Sequence, residues 1–185
     1  MLDQGKLMAM KKVRDEFQDI SNNPILNICC QVGLPNQTNI MEWRCTMSGP
    51  QDTPYAGGLF YLSIKFPDNY PTKAPEICFL TPIYHINVNP YKPKMGSNES
   101  LGHVCISTLN WWKPESRIKQ VLSDIFALFY MANPDSPYGL DRANELRFNK
   151  DLHEAKIKHF TKKYANPGLN NIDREYTESW DFSYP

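Results

Sequence analysis

No run of apolar residues in this chain approaches the ~18 needed to cross a bilayer. The opening segment, Met1-Leu2-Asp3-Gln4-Gly5-Lys6, lacks the apolar stretch of a secretory signal. Net charge is missing as well: 20 Lys and Arg balance 20 Asp and Glu, which removes the electrostatic case for nucleic acid or anionic lipid as a partner. The five cysteines, Cys29, Cys30, Cys45, Cys78 and Cys105, contain no C-x-x-C pair. Their odd number argues against a disulfide framework and their spacing against a zinc site. Free thiols in this pattern imply a reducing compartment, the cytosol or the nucleus. Internal repeats and any sign of a second domain are also absent.

What is present begins with an amphipathic helix. Leu7, Met10, Val13, Phe17 and Ile20 recur at three- and four-residue spacing, and Ser21-Asn22-Asn23-Pro24 ends the pattern. Lys11 and Lys12 lie on its polar side, as a solvated face or a docking point. Strands are expected over 25–32 and 40–47, with a turn at 33–36 between them. A third is marked by alternation, Phe60, Leu62, Ile64 and Phe66 opposite Tyr61, Ser63 and Lys65. Three prolines over 67–75 interrupt regular structure, and Ile77-Cys78-Phe79 reads as a short edge strand. Cys29, Cys30, Cys45 and Cys78 fall in these apolar segments and read as small core residues.

Residues 80–115 show little periodicity, and a connection of this length inside one domain is usually functional or disordered. Prolines, tryptophans and tyrosines order its ends, while 92–100 reads as mobile. Ile118, Val121, Leu122, Ile125, Leu128 and Phe129 then mark a core helix with Ser116 as its cap. A turn at 133–137 separates it from two further helices, over 140–148 and 152–164. The second is expected to open with a capping box of Asp151 and Glu154. The aromatic, acidic tail packs back, docks a partner or stays partly disordered. Domain bounds follow: one domain over 1–165 and a tail over 166–185. The layout is α+β with an antiparallel sheet.

Cys105, in the run Gly102-His103-Val104-Cys105-Ile106-Ser107, is the thiol that stands apart from the strands. A hydrolase would pair it with an activating histidine. His103 is close in sequence but, in an extended segment, points the same way only loosely; His85 lies beyond the loop, and His153 and His159 sit on the last helix. A carrier that takes an acyl group from one thioester and gives it to an amine needs less. It needs an N–H donor for the tetrahedral oxyanion and help in deprotonating the amine. Asn87 is an available amide, equally suited to bracing a loop. Asp135 and Ser136, after the core helix, are placed to flank the mouth of such a site.

At this point the sequence resembles the ubiquitin-conjugating enzymes, over about 7–164. The motifs are Ala9-Met10-Lys11-Lys12-Val13-Arg14-Asp15-Glu16-Phe17, then Trp43 with Gly49-Pro50-x-Asp52-Thr53-Pro54-Tyr55-x-Gly57-Gly58-x-Phe60, then Phe66-Pro67-x-x-Tyr70-Pro71-x-x-x-Pro75. Tyr84-His85-x-Asn87, Gly102-x-Val104-Cys105-Ile106, Trp112-x-Pro114 and Asn133-Pro134-x-Ser136-Pro137 follow in order.

The resemblance implies the family's fold: an N-terminal helix, a four-stranded antiparallel meander, a long active-site loop, a core helix and two C-terminal helices. It also implies an acyltransferase that carries ubiquitin as a thioester on Cys105 and passes it to a lysine. Asn87 matches the residue credited with oxyanion stabilisation or loop bracing, and His85 a mainly structural histidine. Tyr84 and Ser136 match positions along the acceptor-lysine approach. Lys11 and Lys12 fall on the face used by the activating enzyme, Pro71, Thr72, Trp112 and Pro114 on the loops that ligases grip. Ser123, Asp124 and Ala127 match the surface on which bound ubiquitin folds back. No cofactor is implied, since ATP is consumed by the activating enzyme. A ubiquitin-like modifier is the alternative cargo, and a non-catalytic ubiquitin-binding variant a further one.

The pattern departs from the family in places. Ile86 replaces the proline of the usual His-Pro-Asn, and the segment between Asn87 and Gly102 is longer, enough to form a wall or lid beside Cys105. Thr72 stands where many members carry a large apolar residue, Ser123 replaces an apolar contact, and Ser136 cannot serve as a carboxylate.

Overall fold

The alternation along 59–66 is realised as a strand face: Phe60, Leu62, Ile64 and Phe66 are all buried. The computed structural model describes residues 4–25, 28, 30–92, 100–168 and 179–185. Four strands, β1 (Cys30–Gly33), β2 (Glu42–Ser48), β3 (Leu59–Lys65) and β4 (Glu76–Phe79), form an antiparallel sheet in the order β1-β2-β3-β4. The register sets Trp43 against Ile64, Cys45 against Leu62 and Met47 against Phe60. Because strand side chains alternate with period two, these pairs share one face, and all six side chains are fully buried.

Before the sheet comes α1 (Gln4–Asn22), and after it α2 (Ser107–Asn110), α3 (Ile118–Leu128), α4 (Leu140–Phe148) and α5 (Lys150–Tyr164). From α3, Ile118, Val121, Leu122, Ile125 and Phe126 are buried, followed by Phe129. The Phe129 ring meets Phe60 at 5.2 Å and Tyr55 at 5.1 Å. Each such side chain contributes about 1.5–3 kcal/mol of transfer free energy. This is the α+β architecture expected, with the one-turn helix α2 as an addition.

Several local expectations are corrected. The first strand begins at Cys30, not 25: its pairing with β2 starts at Cys30 opposite Met47, and the Cys30 N–H turns to Ile28 O at 2.9 Å instead of to a neighbouring strand; Leu26, Asn27 and Cys29 lie outside the described residues. The buried stripe of α1 is Ala9, Val13, Glu16 and Ile20, while Leu7 is exposed and Met10 and Phe17 are half-buried. A carboxylate is drawn inside in place of an apolar face. Glu16 Oε1 accepts from Tyr70 Oη at 2.6 Å, and Oε2 accepts from the Ile118 N–H at 2.8 Å.

That second bond replaces the expected cap. Ser116 instead closes the preceding turn, its Oγ accepting from the Lys113 N–H at 3.2 Å, and no side chain of the capping residue Arg117 reaches the helix. For α5 the cap is Asn149, whose Oδ1 accepts from the Leu152 N–H at 3.3 Å, rather than a box of Asp151 and Glu154. The helix therefore opens two residues earlier than expected.

The last residues are packed rather than loose. Trp180 is 7% exposed, and its N–H donates to Pro90 O at 3.0 Å. The Phe182 ring lies 4.8 Å from Phe160, and Ser179 Oγ accepts from the Lys92 N–H at 3.0 Å. The rest of the tail expectation, 169–178, lies outside the described residues, as does the middle of the long loop, 93–99.

Candidate active site

Two short bridges prolong the sheet beyond β4 and bring the ends of the long loop together. Cys78 pairs with His103, and Val88 with Val104. Gly102 makes this possible. Its φ is +79°, and a Cβ there would lie 2.0 Å from Phe79 O, a contact that excludes any side chain. The stitches then run in sequence: Gly102 N–H to Asn89 O at 2.7 Å, Asn89 N–H to His103 O at 2.9 Å, and Cys105 N–H to Asn87 O at 2.9 Å. Cys105 is thus held beside Asn87 by main-chain hydrogen bonds, half-buried, at the point where the bridge ends and α2 begins.

Among the described thiols this is a distinctive environment. Cys45 and Cys78 are buried, and burial pushes the Cys78 thiol up to about 12. Cys30 is half-buried, but its Sγ lies 3.2 Å from Cys45 Sγ. Cys105 Sγ is approached instead by an amide, Asn110 Nδ2, at 3.5 Å.

Asn87 is wholly buried, and its side chain faces the segment after α3. Nδ2 donates to Asn133 O at 2.7 Å and to Ser136 O at 3.0 Å, while Oδ1 accepts from the Asn133 N–H at 2.8 Å. A carboxamide has two N–H donors, so both are engaged on main-chain oxygens. His85 supports it from behind: its Nδ1 accepts from the Asn87 N–H at 3.0 Å and its Nε2 donates to Leu128 O at 3.0 Å. Burial pushes the His85 ring down to about 4, so it is neutral at pH 7 and Nδ1 is free to accept. Ile86, in place of a proline, is itself buried.

Asp135 and Ser136 are exposed, with the Asp135 N–H donating to Asn133 Oδ1 at 2.9 Å. Tyr84 does not join them. It is buried, stacked 5.4 Å from Phe160 and under the Arg142 guanidinium, and its hydroxyl donates to Glu145 Oε1 at 3.1 Å. Burial and then the Glu145 charge push that phenol up to about 12. The position expected on the lysine approach is therefore turned into the body of the protein.

Glu145 gathers this second cluster. It accepts from Tyr84, from His153 Nδ1 at 3.0 Å and from Lys156. Burial pushes its carboxyl up, but the hydrogen bonds from Lys156, His153 and Tyr84 outweigh that and hold it below the usual range. Burial lowers His153 despite the neighbouring carboxylate, so at pH 7 that contact is a hydrogen bond from a neutral Nδ1–H rather than an ion pair.

The remaining positions lie at the surface on separate faces. Lys11 is exposed, and Lys12 Nζ is 3.6 Å from Glu16 Oε1. Thr72 and Pro114 are exposed, whereas Pro71 and Trp112 are half-buried and joined, Trp112 Nε1 donating to Pro71 O at 2.7 Å. The two loops are therefore one surface. On α3, Ala127 is exposed, Ser123 Oγ donates to Lys119 O at 2.9 Å, and Asp124 accepts from Thr108 and from Gln120 Nε2 at 2.8 Å. That aspartate pins α2 to α3.

Sequence reasoning missed Asn110 and Glu16. Asn110 stands five residues after Cys105, and the one-turn helix that returns its amide to the thiol has too few residues to show periodicity. Glu16 occupies a core position of the first helix, where an interior carboxylate could have signalled a distant donor.

Among the described residues no group of three or more His, Cys, Asp or Glu side chains is arranged to hold a metal ion. No helix among them is long and apolar enough to cross a membrane. Comparison with known protein families matches residues 12–161 to the ubiquitin-conjugating enzymes. The match spans most of the chain and holds both Cys105 and the loop that Asn87 braces: this protein belongs to the ubiquitin-conjugating enzyme family.

Proposed function

We propose that the protein carries ubiquitin as a thioester on Cys105 and transfers it to a lysine of a substrate, a ligase or a growing chain. The observation that carries this reading is the half-buried Cys105 thiol, held by its own N–H on Asn87 O at 2.9 Å within the family-matched span. Loading proceeds by thioester exchange. The Cys105 sulfur, its proton lost to solvent base, attacks the carbonyl carbon of ubiquitin on the activating enzyme, whose thiolate departs. The chain needs no cofactor of its own for this, because ATP is consumed upstream.

Asn87 acts here as a brace for 133–136, since its amide is committed to that segment at both donors. Asp135 is the exposed carboxylate available to hold an incoming ammonium and take its proton, and Ser136 a neighbouring hydroxyl. His85 serves Asn87. Lys11 and Lys12 are the proposed contact for the activating enzyme, and the joined surface of Pro71, Thr72, Trp112 and Pro114 that for a ligase. The exposed edge of α3 at Ala127, with Ser123 and Asp124, is the proposed rest for folded-back ubiquitin. The catalytic unit is placed within 1–165, acting in the cytosol or nucleus.

Incubation with activating enzyme, ATP and, in parallel, ubiquitin or each ubiquitin-like modifier tests the reading. A thiol-sensitive adduct with ubiquitin is expected. An adduct with another modifier alone corrects the cargo, and none with any modifier overturns the assignment.

A further inference from the structure

We infer that the amide that donates to the reacting thioester is that of Asn110, not that of Asn87. This rests on Cys105 being the thioester carrier proposed above. Two observations carry it. The Asn87 side chain is wholly buried, and its two N–H donors lie on Asn133 O and Ser136 O, so it has none left for an oxyanion. Asn110 Nδ2 is 3.5 Å from Cys105 Sγ, on the exposed side from which an acyl group would be reached.

The position of Asn110 is fixed by its neighbours. Its N–H donates to Ile106 O at 3.1 Å, closing the turn that begins at the residue after the thiol. Thr108 hydrogen-bonds Asp124 of α3, and Leu109 packs against the core. Two residues on, Trp112 is anchored to Pro71 O. The turn that carries Asn110 is thus held on both sides, which keeps its amide within reach of the sulfur.

The chemistry asks for a donor there. The lone pair of the acceptor amine forms a C–N bond to the thioester carbon, and the C=O π pair moves onto oxygen. The Asn110 N–H donates to that oxygen, which is bonded to the same carbon as Sγ. Collapse restores C=O and breaks the C–S bond, and the pair returns to Sγ as thiolate. The same amide faces that thiolate, and the surplus ammonium proton leaves to solvent base. Asn110 is therefore a catalytic residue for discharge, serving both oxyanion and leaving group.

Single-turnover discharge of the preformed ubiquitin thioester to free lysine, as a function of lysine concentration, tests this. Asn110→Ala is expected to melt at the wild-type temperature, because the side chain is exposed, and its thioester is isolated before discharge so that the charging step does not enter the measured rate. Its maximal discharge rate should fall roughly a hundred- to a thousandfold, with the lysine concentration for half-maximal rate unchanged. Asn110→Asp, which has the shape but no N–H, should be at least as slow, and Asn110→Gln should recover part of the rate. Wild-type discharge by Asn110→Ala overturns the inference, and so does a rate loss matched by a fall in melting temperature. A wild-type chain that never charges instead removes the reading beneath it.

Discussion

The carboxylate of Glu16 on α1 accepts the Ile118 N–H at 2.8 Å, so a residue 102 positions away caps α3. Four N–H groups at a helix start lack internal partners, and a charged acceptor there is favoured by the helix dipole as well. Burial pushes the Glu16 carboxyl up while the Tyr70 hydroxyl and the Ile118 N–H draw it down. Glu16→Ala orphans both donors and should cost about 2–3 kcal/mol. Glu16→Gln, which keeps an acceptor, should lose less. Urea unfolding of the three proteins checks the order.

Asn87 predicts a different signature. Asn87→Ala leaves the N–H and O of Asn133 and the O of Ser136 without the partner they have now. A loss of about 2 kcal/mol is expected. Asn87→Asp retains the acceptor for Asn133 N–H but sets a carboxylate against two carbonyls, and should be worse. Thermal melting ranks them, and hydrogen exchange should show faster opening over 133–137 in both.

The fold was legible wherever a period was written in side chains. Phe60, Leu62, Ile64 and Phe66 alternate, and Ile118 to Phe126 repeat at helical spacing, so β3 and α3 could be read directly. What could not be read depends on partners distant in sequence. Glu16 faces inward only because Tyr70 and Ile118 arrive from 54 and 102 residues away. Tyr84 turns inward because Glu145 and Arg142 meet it there, and the role of Asn110 follows from a turn only one helical turn long. Cys105 could be singled out in the sequence because a thiol within an ordered set of motifs is a local signal, and its role is the one proposed above.

Stability should fall in mild acid through His85. Its ring is neutral in the fold, pushed down to about 4 by burial, while the unfolded ring titrates near 6.5. Between those values the unfolded state binds the extra proton, so stability drops as pH falls, by up to about 1.4 kcal/mol per pH unit. Glu16, raised by burial, works in the opposite sense, so the informative quantity is a difference. Unfolding free energies of wild type and His85→Gln from pH 7 to 4.5 should converge as pH falls. Parallel curves would show that His85 is not the group responsible.

Trp180 ties the end of the chain to the start of the long loop. Trp180→Ala removes a buried ring and should destabilise by about 3 kcal/mol. The Lys92 amide, which donates to Ser179 Oγ at 3.0 Å, should also exchange faster. Hydrogen exchange resolved to 90–92 measures this directly.

The central claim is that Cys105 is the atom on which ubiquitin is carried. Charging with activating enzyme, ATP and ubiquitin, followed by intact-mass analysis and peptide mapping under non-reducing conditions, tests it most directly. Wild type should gain one ubiquitin, removed by thiol and mapped to Cys105. Cys105→Ser should gain a thiol-resistant, alkali-labile ester, and Cys105→Ala nothing. An unchanged thiol-labile adduct on Cys105→Ala, or a wild-type adduct mapped to Cys30, would contradict the account.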